Sequence, residues 1–326
     1  MTEVDRPLEQ CQSVTPVVDR PATTLPSGPA FRRPFMATVN TPGLTVELSP
    51  DREDRDRRTR LNTHFAKVSG RYRTLRELDL AAVRVISDMV ARGADLERPV
   101  RLLDVATGSG RYLDAVSRVL ASTLTIRVVP IGLDLSPAML RQARIRNGRA
   151  GPRARHLVGA VETLPFRTAS CDVMTCFNAV HHVDLARFAD EASRVLTPSG
   201  QLVVYTRTPE QNRRTIWGHH FPEFTARETR LHEVEDLRAA LQATGTFTSV
   251  HTQTVPWAVT TSLARLVEQA THYHYSTFRL YADDALRTAI DTFRQRVGQA
   301  FRDVTRITYD NDHLLVTAQR GRLNRD

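Results

Sequence analysis

The sequence is poor in lysine, in cysteine and in long apolar runs, and each shortage excludes a class of protein. Lys67 is the only lysine among 45 basic residues, so the net charge of +9 is carried by arginines spread along the chain. The three cysteines, Cys11, Cys171 and Cys176, form neither a zinc-ligand spacing nor a disulfide framework. No apolar stretch approaches the roughly 18 residues of a membrane span. We therefore expect a soluble, cytoplasmic protein that binds no metal.

The arginines cluster once, in a stretch of the chain without acidic residues. This spacing is typical of a solvated helix face followed by a loop, and contact with an anionic partner such as nucleic acid is the alternative. The members of the cluster are Arg141, Arg144, Arg146, Arg149, Arg153 and Arg155.

The first 57 residues differ from the rest of the chain. Prolines recur there without any helical or alternating pattern, which predicts a flexible leader over residues 1–57. The mixed charges of Asp51–Arg60 fit the start of a solvated helix. We expect one folded domain over residues 58–320.

From Val100 onward, strand-like and helix-like segments alternate, which predicts an α/β fold with a doubly wound, mostly parallel sheet. Strands are expected near 100–105, 128–134, 156–159, 171–177 and 201–206. Two helical patterns near 260–271 and 283–303 precede a last strand, and we expect them to form a lid over the cleft. The predicted parts are a helical cap (58–99), a cofactor-binding core (100–206), a substrate loop with a sheet continuation (207–258), a helical lid insertion (259–304) and the last strand (305–320).

The most informative stretch is Arg101–Tyr112, RLLDVATGSGRY, in which an apolar strand ends on Asp104 and a turn of small residues follows. Small residues let backbone N–H groups approach a ligand closely. A second strand ends on Asp134. This order of a strand, a glycine turn, a helix and a second strand that ends on an acid is typical of units that bind a ribose-bearing cofactor.

A dinucleotide is a poor match for this site. The dinucleotide fingerprint needs a third glycine where this chain has Leu113. Asp104 would also repel a pyrophosphate. A cationic sulfonium ligand with an amino-acid tail suits the acid better.

Four ordered motifs carry a resemblance to a known family. They are the D-x-A-x-G-x-G turn, Leu133–Ser136, the run Gly159–Phe166 and the strand Cys171–Asn178 with its following turn Val195–Gly200. Together they resemble the class I S-adenosylmethionine-dependent methyltransferases, especially the small-molecule group with a G-D-A-E-x-L-P-F signature. The resemblance implies a seven-stranded, Rossmann-like sheet and S-adenosylmethionine as cofactor.

The resemblance also implies a role for each residue of the cofactor site. The turn would hold the methionine end of the cofactor, with Asp104 behind it near the ammonium group. Asp134 would accept hydrogen bonds from the ribose hydroxyls, Leu135 would pack on the adenine, and Asn178 would contact the amino-acid tail. The turn residues are Ala106, Thr107, Gly108 and Gly110.

Two further positions bear on the cofactor. Where this chain has Ala160, relatives have an aspartate that binds the adenine amine. In this chain that contact is lost, or another polar group supplies it. The backbone of Val161 can still reach the ring. Tyr72 lies in a Y-x-x-L-R element that closes over the cofactor in relatives, although it could equally be a helix-packing tyrosine.

Acceptor residues are less well defined. His181, His182 and His219 are candidates for a general base. Two segments rich in aromatic and polar residues, 206–224 and 272–278, predict an acceptor pocket, and their alternative role is to pack the insertion on the core. The predicted substrate contacts are Arg207, Trp217, His220, Tyr273 and Tyr275.

These patterns predict methyl transfer to a small or medium-sized organic acceptor at oxygen, nitrogen or carbon, in a biosynthetic role. Two alternatives stay open. One is an RNA (tRNA) methyltransferase that uses the arginine cluster to bind phosphate. The other is a methyltransferase-fold protein that retains the cofactor but catalyses a non-methylating reaction. The sequence leaves the oligomeric state open.

Overall fold

A computed structural model describes residues 52–93, 97–146 and 151–321. Nearly all of them belong to one compact unit, Glu53–Asp326. The predicted leader therefore lies mostly outside the described residues. Its last part, residues 52–57, is helical, in line with the helix start that Asp51–Arg60 indicates.

A seven-stranded sheet forms the centre of the protein, with a separate two-stranded sheet beside it. The strands are β1 (Val100–Val105), β2 (Val128–Asp134), β3 (Arg155–Val158), β4 (Cys171–Phe177), β5 (Leu196–Thr206), β6 (Phe247–Val255), β7 (Ala258–Thr261), β8 (Ile307–Asp310) and β9 (His313–Arg320). The large sheet has the order β3-β2-β1-β4-β5-β9-β6. Only β9 pairs antiparallel with its neighbours in that sheet. The predicted seven-stranded, mostly parallel sheet is confirmed.

Helices cover both faces of the sheet and fill the insertion before the last strands. They are α1 (Arg52–Val68), α2 (Tyr72–Leu75), α3 (Leu80–Gly93), α4 (Arg111–Arg118), α5 (Pro137–Arg146), α6 (Leu185–Val195), α7 (Pro209–Arg214), α8 (Ile216–His220), α9 (Phe224–Arg227), α10 (Val234–Ala243), α11 (Leu263–Thr271) and α12 (Asp283–Ala300). None of the helices within the described ranges is long and apolar enough to span a lipid bilayer.

Two apolar cores lie on opposite faces of the sheet because successive strand residues point to opposite sides. Leu103 packs with α6 and α10 in one core, and its neighbour Leu102 packs with α3 and α4 in the other. Cys171 and Cys176 are buried in β4 as free thiols. Both faces are covered, so the strands read as nearly continuous apolar runs.

The segment after β5 was predicted as a long loop, and the structure corrects this. It folds into the three short helices α7, α8 and α9. The Thr208 hydroxyl accepts from the Gln211 N–H at 3.1 Å, and the Gln211 amide accepts from the Thr208 N–H at 3.0 Å. The local sequence Thr208-Pro209-Glu210-Gln211 carries this signal, since it is a capping box with proline at the first helical position.

The predicted last strand is also divided, at Asn311 and Asp312, into β8 and β9. The Asn311 N–H donates to the Trp257 carbonyl at 2.7 Å, and the Trp257 N–H donates to the Asp312 carboxylate at 3.1 Å. These bonds join the β6–β9 pair to the β7–β8 pair. Because β9 runs antiparallel, its first residue, His313, lies at the edge of the sheet where β5 ends.

Candidate functional site

The turn after β1 adopts backbone angles that favour small residues. Gly108 and Gly110 have φ values of 58° and 70°, and Ala106 has a φ of 51°. A Cβ atom at Gly110 would lie 3.2 Å from the Cβ of Ala143. The Thr107 N–H donates to the Leu133 carbonyl at 3.0 Å, which fixes the turn against β2.

Asp104 supports this turn from within the core. It is 2% exposed, and it accepts hydrogen bonds from the hydroxyls of Thr107 at 2.5 Å and Thr175 at 2.8 Å. Burial raises the pKa of Asp104 to about 7, although both hydroxyls favour the charged form. The bond from Thr107 places Asp104 directly behind the turn, where it can hold Thr107 in position.

Asp134 closes β2 and connects two loops. One carboxylate oxygen accepts from the Gly108 N–H at 2.7 Å, and the other accepts from the Ser136 N–H at 2.8 Å. Burial raises the pKa of Asp134 to about 6, while the two backbone bonds partly oppose this rise. Each oxygen has a further lone pair, so the carboxylate can still accept from a ligand hydroxyl.

These loops border a cavity of about 710 Å³ of empty space, its open mouth included. Three of the residues predicted for the cofactor, Asp104, Thr107 and Gly110, lie behind its wall. The other predicted cofactor residues line it, and they are Tyr72, Ala106, Gly108, Asp134, Leu135, Ala160, Val161 and Asn178. We call this space the cofactor cavity. Its apolar walls, its hydrogen-bonding carboxylate and its buried acid fit an adenosine bearing a sulfonium and an amino-acid tail.

One wall of the cofactor cavity comes from α1, and the charges of Asp51–Arg60, which indicate a helix, do not predict its place there. The Arg57 guanidinium donates to Glu162 at 2.7 Å and to the His182 carbonyl, which ties α1 to the core. Asn62 and Glu162 line the cavity together with Ala160. They are the polar side chains available where relatives have an adenine-binding acid.

A second cavity, of about 520 Å³, adjoins the first. Phe65, Tyr72, Asn178 and His182 line both of them. We call the second space the acceptor cavity. The sequence analysis predicted His181, Arg207 and Tyr275 in its wall but missed Arg76, Asn212, Glu228 and His313.

Arg207 is the central charged group of the acceptor cavity. It is 6% exposed, and its Nη2 donates to Asn311 Oδ1 at 2.6 Å and to the Tyr275 hydroxyl at 3.4 Å. His313 Nε2 lies 3.4 Å from the same nitrogen, while His313 Nδ1 lies 2.8 Å from the Asn311 carbonyl. A carbonyl only accepts, so Nδ1 carries the proton of this ring and Nε2 accepts from Arg207.

Burial and charge shift the titration of the neighbouring side chains. Burial lowers the pKa of His181 to about 3, and burial together with nearby positive groups lowers the pKa of His182 and His313 well below 6.5. Burial opposes ionisation of Tyr275, yet the Arg207 and Arg76 cations outweigh it and lower the pKa of its phenol. The three imidazoles are therefore neutral at physiological pH.

Four predicted acceptor residues lie outside both cavities. Trp217 is fully buried and stacks on Phe293 at 5.1 Å, inside an apolar cluster formed by α8, α11 and α12. His219 is exposed, and the His220 ring packs near Phe301. The Tyr273 hydroxyl donates to Asp283 at 3.3 Å. Trp217, His220 and Tyr273, predicted to contact substrate, and His219, a candidate base, therefore have packing or surface positions away from both cavities.

Two other predictions concern metals and nucleic acid. Within the described ranges, no group of three His, Cys, Asp or Glu side chains could hold a metal ion. The predicted arginine cluster lies partly outside the described residues. Of its described members, Arg144 donates to the His156 carbonyl at 3.2 Å.

Comparisons with known proteins agree with this geometry. A family profile described as a methyltransferase domain matches residues 103–204. A demethylmenaquinone methyltransferase of Deinococcus radiodurans is 32% identical over 169 residues, which cover 51% of this chain and 68% of the relative. Its counterpart in Chlorobaculum tepidum is 32% identical over 149 residues, covering 44% of this chain and 57% of the relative.

Solved structures share the fold. One from Anabaena variabilis, described as a methyltransferase from an antibiotic biosynthesis pathway, has a TM-score of 0.52 at 17% identity and covers 72% of this chain and 96% of its own. At that identity the likeness concerns the fold alone. This shared fold accounts for the strand order of the large sheet. The chain belongs to the class I methyltransferases, enzymes that use S-adenosylmethionine as cofactor.

Proposed function

We propose that this enzyme transfers the methyl group of S-adenosylmethionine to a small organic acceptor bound in the acceptor cavity, as a step of a biosynthetic pathway. The observation that carries the proposal is the shared wall of the two cavities. Phe65, Tyr72, Asn178 and His182 line both, so a molecule in the acceptor cavity would lie directly beside the cofactor.

The size and chemistry of the acceptor cavity support a small acceptor. The empty space of this cavity, about 520 Å³ with its open mouth included, accommodates a small molecule or one part of a larger one. The aromatic rings of Phe65, Tyr72 and Tyr275 offer a surface for a ring system, and polar groups stand among them. Both curated relatives are named for methylation of demethylmenaquinone, which is an organic molecule with a ring system.

The protein contributes to the reaction mainly by aligning the acceptor with the methyl group of the cofactor. When bound, the cofactor supplies an already activated methyl group, and correct placement of the acceptor can account for roughly 7–11 kcal/mol of the barrier. Neutral imidazoles at His181 and His182 lie on the acceptor side and can accept a proton there. Their low pKa values make them weak bases, so they suit an acceptor that is already acidic.

The test is formation of S-adenosylhomocysteine by the full chain with a panel of small ring acceptors, carrying hydroxyl, amino and acidic C–H groups. We expect turnover with at least one acceptor, and a methylated product by mass spectrometry. Methylation of bulk tRNA but of no small acceptor would overturn the proposal. Conversion of an acceptor to a product without a methyl group, with the cofactor unconsumed, would also overturn it.

A further inference from the structure

The acceptor cavity carries positive charge that its own walls do not neutralise. Arg76 and Arg207 line it, and neither forms an ion pair with a carboxylate in the part of the chain that the structure describes. Arg76 instead donates from Nε and Nη2 to the His274 carbonyl, at 2.9 Å and 2.6 Å. A buried guanidinium without a counter-ion is costly unless a ligand supplies the negative charge.

The one acid in this wall is already paired. Both oxygens of Glu228 accept from Arg230, at 2.8 Å and 2.5 Å, and one of them also accepts from the Thr277 hydroxyl at 2.6 Å. The negative charge of Glu228 is therefore neutralised by Arg230 and does not balance the positive charge of Arg207.

The immediate partners of Arg207 are all uncharged side chains. Asn311 and Tyr275 accept from it, and the His313 ring is neutral because its Nε2 carries no proton and accepts from Arg207. All three contacts involve Nη2, while the buried Nε of Arg207 has no hydrogen-bond partner within the described ranges. The buried Nδ2 of Asn212, in the same wall, is likewise without a partner there. An anionic ligand oxygen would supply the acceptor that the Nε of this guanidinium and the Asn212 amide lack within the described ranges.

We propose that Arg207, with Asn212 and Arg76, binds an acidic oxygen of a planar aromatic acceptor, either a carboxylate or a phenolate. This inference rests on the proposed function and names the chemical class of its acceptor. The rings of Phe65, Tyr72 and Tyr275 would enclose the planar part of the acceptor, and the Arg76 guanidinium lies over the Tyr275 ring at 5.1 Å. The subsite would fix the acceptor by its charge and leave the reacting atom toward Asn178 and His182.

The first experiment measures binding to the full chain loaded with S-adenosylhomocysteine. Fluorine NMR titrations compare 4-fluorobenzoate with 4-fluorobenzamide, which has the same shape but no charge. We expect the wild-type protein to prefer the carboxylate by at least about tenfold, as a charge-assisted hydrogen bond predicts. Arg207→Gln should abolish this preference, and Arg207→Lys, which keeps the charge, should retain part of it.

A matched control comes from the surface. Arg213 lies on α7, and its exposed side chain pairs with Glu210. Arg213→Gln should leave the preference for the carboxylate unchanged. Because Arg207 does not line the cofactor cavity, Arg207→Gln should also bind S-adenosylhomocysteine with unchanged affinity, which shows that the variant is folded.

The second experiment distinguishes the two sources of the acidic oxygen. The visible absorbance of 4-nitrophenol reports its ionisation, and a phenolate subsite should increase the ionised fraction on binding to wild-type protein but not to Arg207→Gln. An effect with 4-nitrophenol or a preference for 4-fluorobenzoate supports the subsite and identifies the anion. Equal binding of benzoate and benzamide, with no change in 4-nitrophenol ionisation, overturns it. Turnover of neutral acceptors in that case would leave the proposed function standing.

Discussion

The cofactor cavity and the acceptor cavity meet at Asn178 and His182, yet they are electrostatic opposites. Around the cofactor cavity, burial raises the pKa of Asp104 and Asp134, and neither acid forms an ion pair in the described part of the chain. Around the acceptor cavity, Arg207 lacks an anion and its charge lowers the pKa of Tyr275. The cofactor cavity therefore lacks the positive charge that a sulfonium would bring, and the acceptor cavity lacks the negative charge that an acidic oxygen would bring.

This contrast has a chemical consequence. Methyl transfer removes the positive charge of the sulfonium, whereas the acidic oxygen held by Arg207 would anchor the acceptor and would not receive the methyl group. The two oppositely charged sites would therefore hold the two ligands in place while the reacting atom approaches the methyl group near Asn178 and His182. The following predictions test the two sides of this contrast, beginning with the largest expected effect.

The largest effect concerns Asp104 and pH. Its carboxyl has a pKa of about 7 in the folded protein and 3.8 as its reference value, so folding favours the protonated form. Its contribution to stability is fully present below pH 3.8 and is lost as the pH rises to about 7. The difference is on the order of 4 kcal/mol. Asp104→Asn, which cannot ionise, should make the unfolding free energy of the ligand-free protein fall less between pH 5 and pH 7.5.

Urea unfolding at the two pH values measures this change. Asp190→Asn, at an exposed position of α6, is the control and should keep the wild-type pH dependence. If Asp104→Asn and wild type lose the same stability over this range, Asp104 is ionised throughout and the cofactor side does not lack a cation.

The second prediction concerns Asp134 and cofactor affinity. Asp134→Asn removes the charge and replaces one acceptor oxygen by an NH₂ group, which would face the Gly108 or the Ser136 N–H. Loss of a charged hydrogen bond costs roughly 1.5–3 kcal/mol, so we expect S-adenosylhomocysteine to bind about 10- to 100-fold more weakly by calorimetry. Wild-type affinity should also decline below pH 6, where Asp134 becomes protonated, while that of the variant should not.

Asp190→Asn again serves as the control and should bind as the wild type does. If Asp134→Asn bound S-adenosylhomocysteine with an affinity within about twofold of wild type, the carboxylate would only hold the two loops in position.

The two cavities also differ in how far the sequence predicts them. The cofactor cavity is built from short contiguous motifs at strand ends, such as Ala106–Gly110 and Leu133–Ser136, and the parallel sheet brings those ends together. The sequence therefore predicts eight cofactor residues of its lining. It indicates a helix at Asp51–Arg60 but not the place of that helix in the cavity wall, because these charges carry no strong apolar face.

The acceptor cavity is assembled from residues that are far apart in the chain. Arg76, Arg207, Tyr275 and His313 come from four separate elements, and no local pattern connects them. His313 reaches the site only because β8 and β9 are separated at Asn311, which a continuous apolar run does not reveal. Aromatic content alone likewise does not distinguish a pocket wall from a core, and Trp217 lies in the apolar cluster of α8, α11 and α12.

A smaller effect, on the unfolding free energy, is expected at Ala106 in the turn after β1, because the backbone angles there suit glycine better than alanine. Its positive φ of 51° costs a non-glycine residue roughly 1–2 kcal/mol. Ala106→Gly should therefore raise the unfolding free energy, by about 1 kcal/mol or less because glycine also loosens the unfolded chain. The matched change Ala239→Gly, at an exposed position within α10, should lower it by about 1 kcal/mol. Equal signs for the two variants in urea unfolding would show that the turn is unstrained.

The smallest effect on activity is expected for substitution of His219, and it is to be compared with the effect of the same substitution at His182. The sequence predicted both as candidate bases, but His182 lines both cavities whereas His219 is exposed at the end of α8. His219→Ala should leave kcat and KM within about twofold of wild type, because a surface substitution away from the site changes little. His182→Ala should lower kcat/KM by at least tenfold, whether the imidazole accepts a proton or only shapes the wall. Measured with the acceptor found in the panel, a loss at His219 as large as that at His182 would place the reaction outside the two cavities.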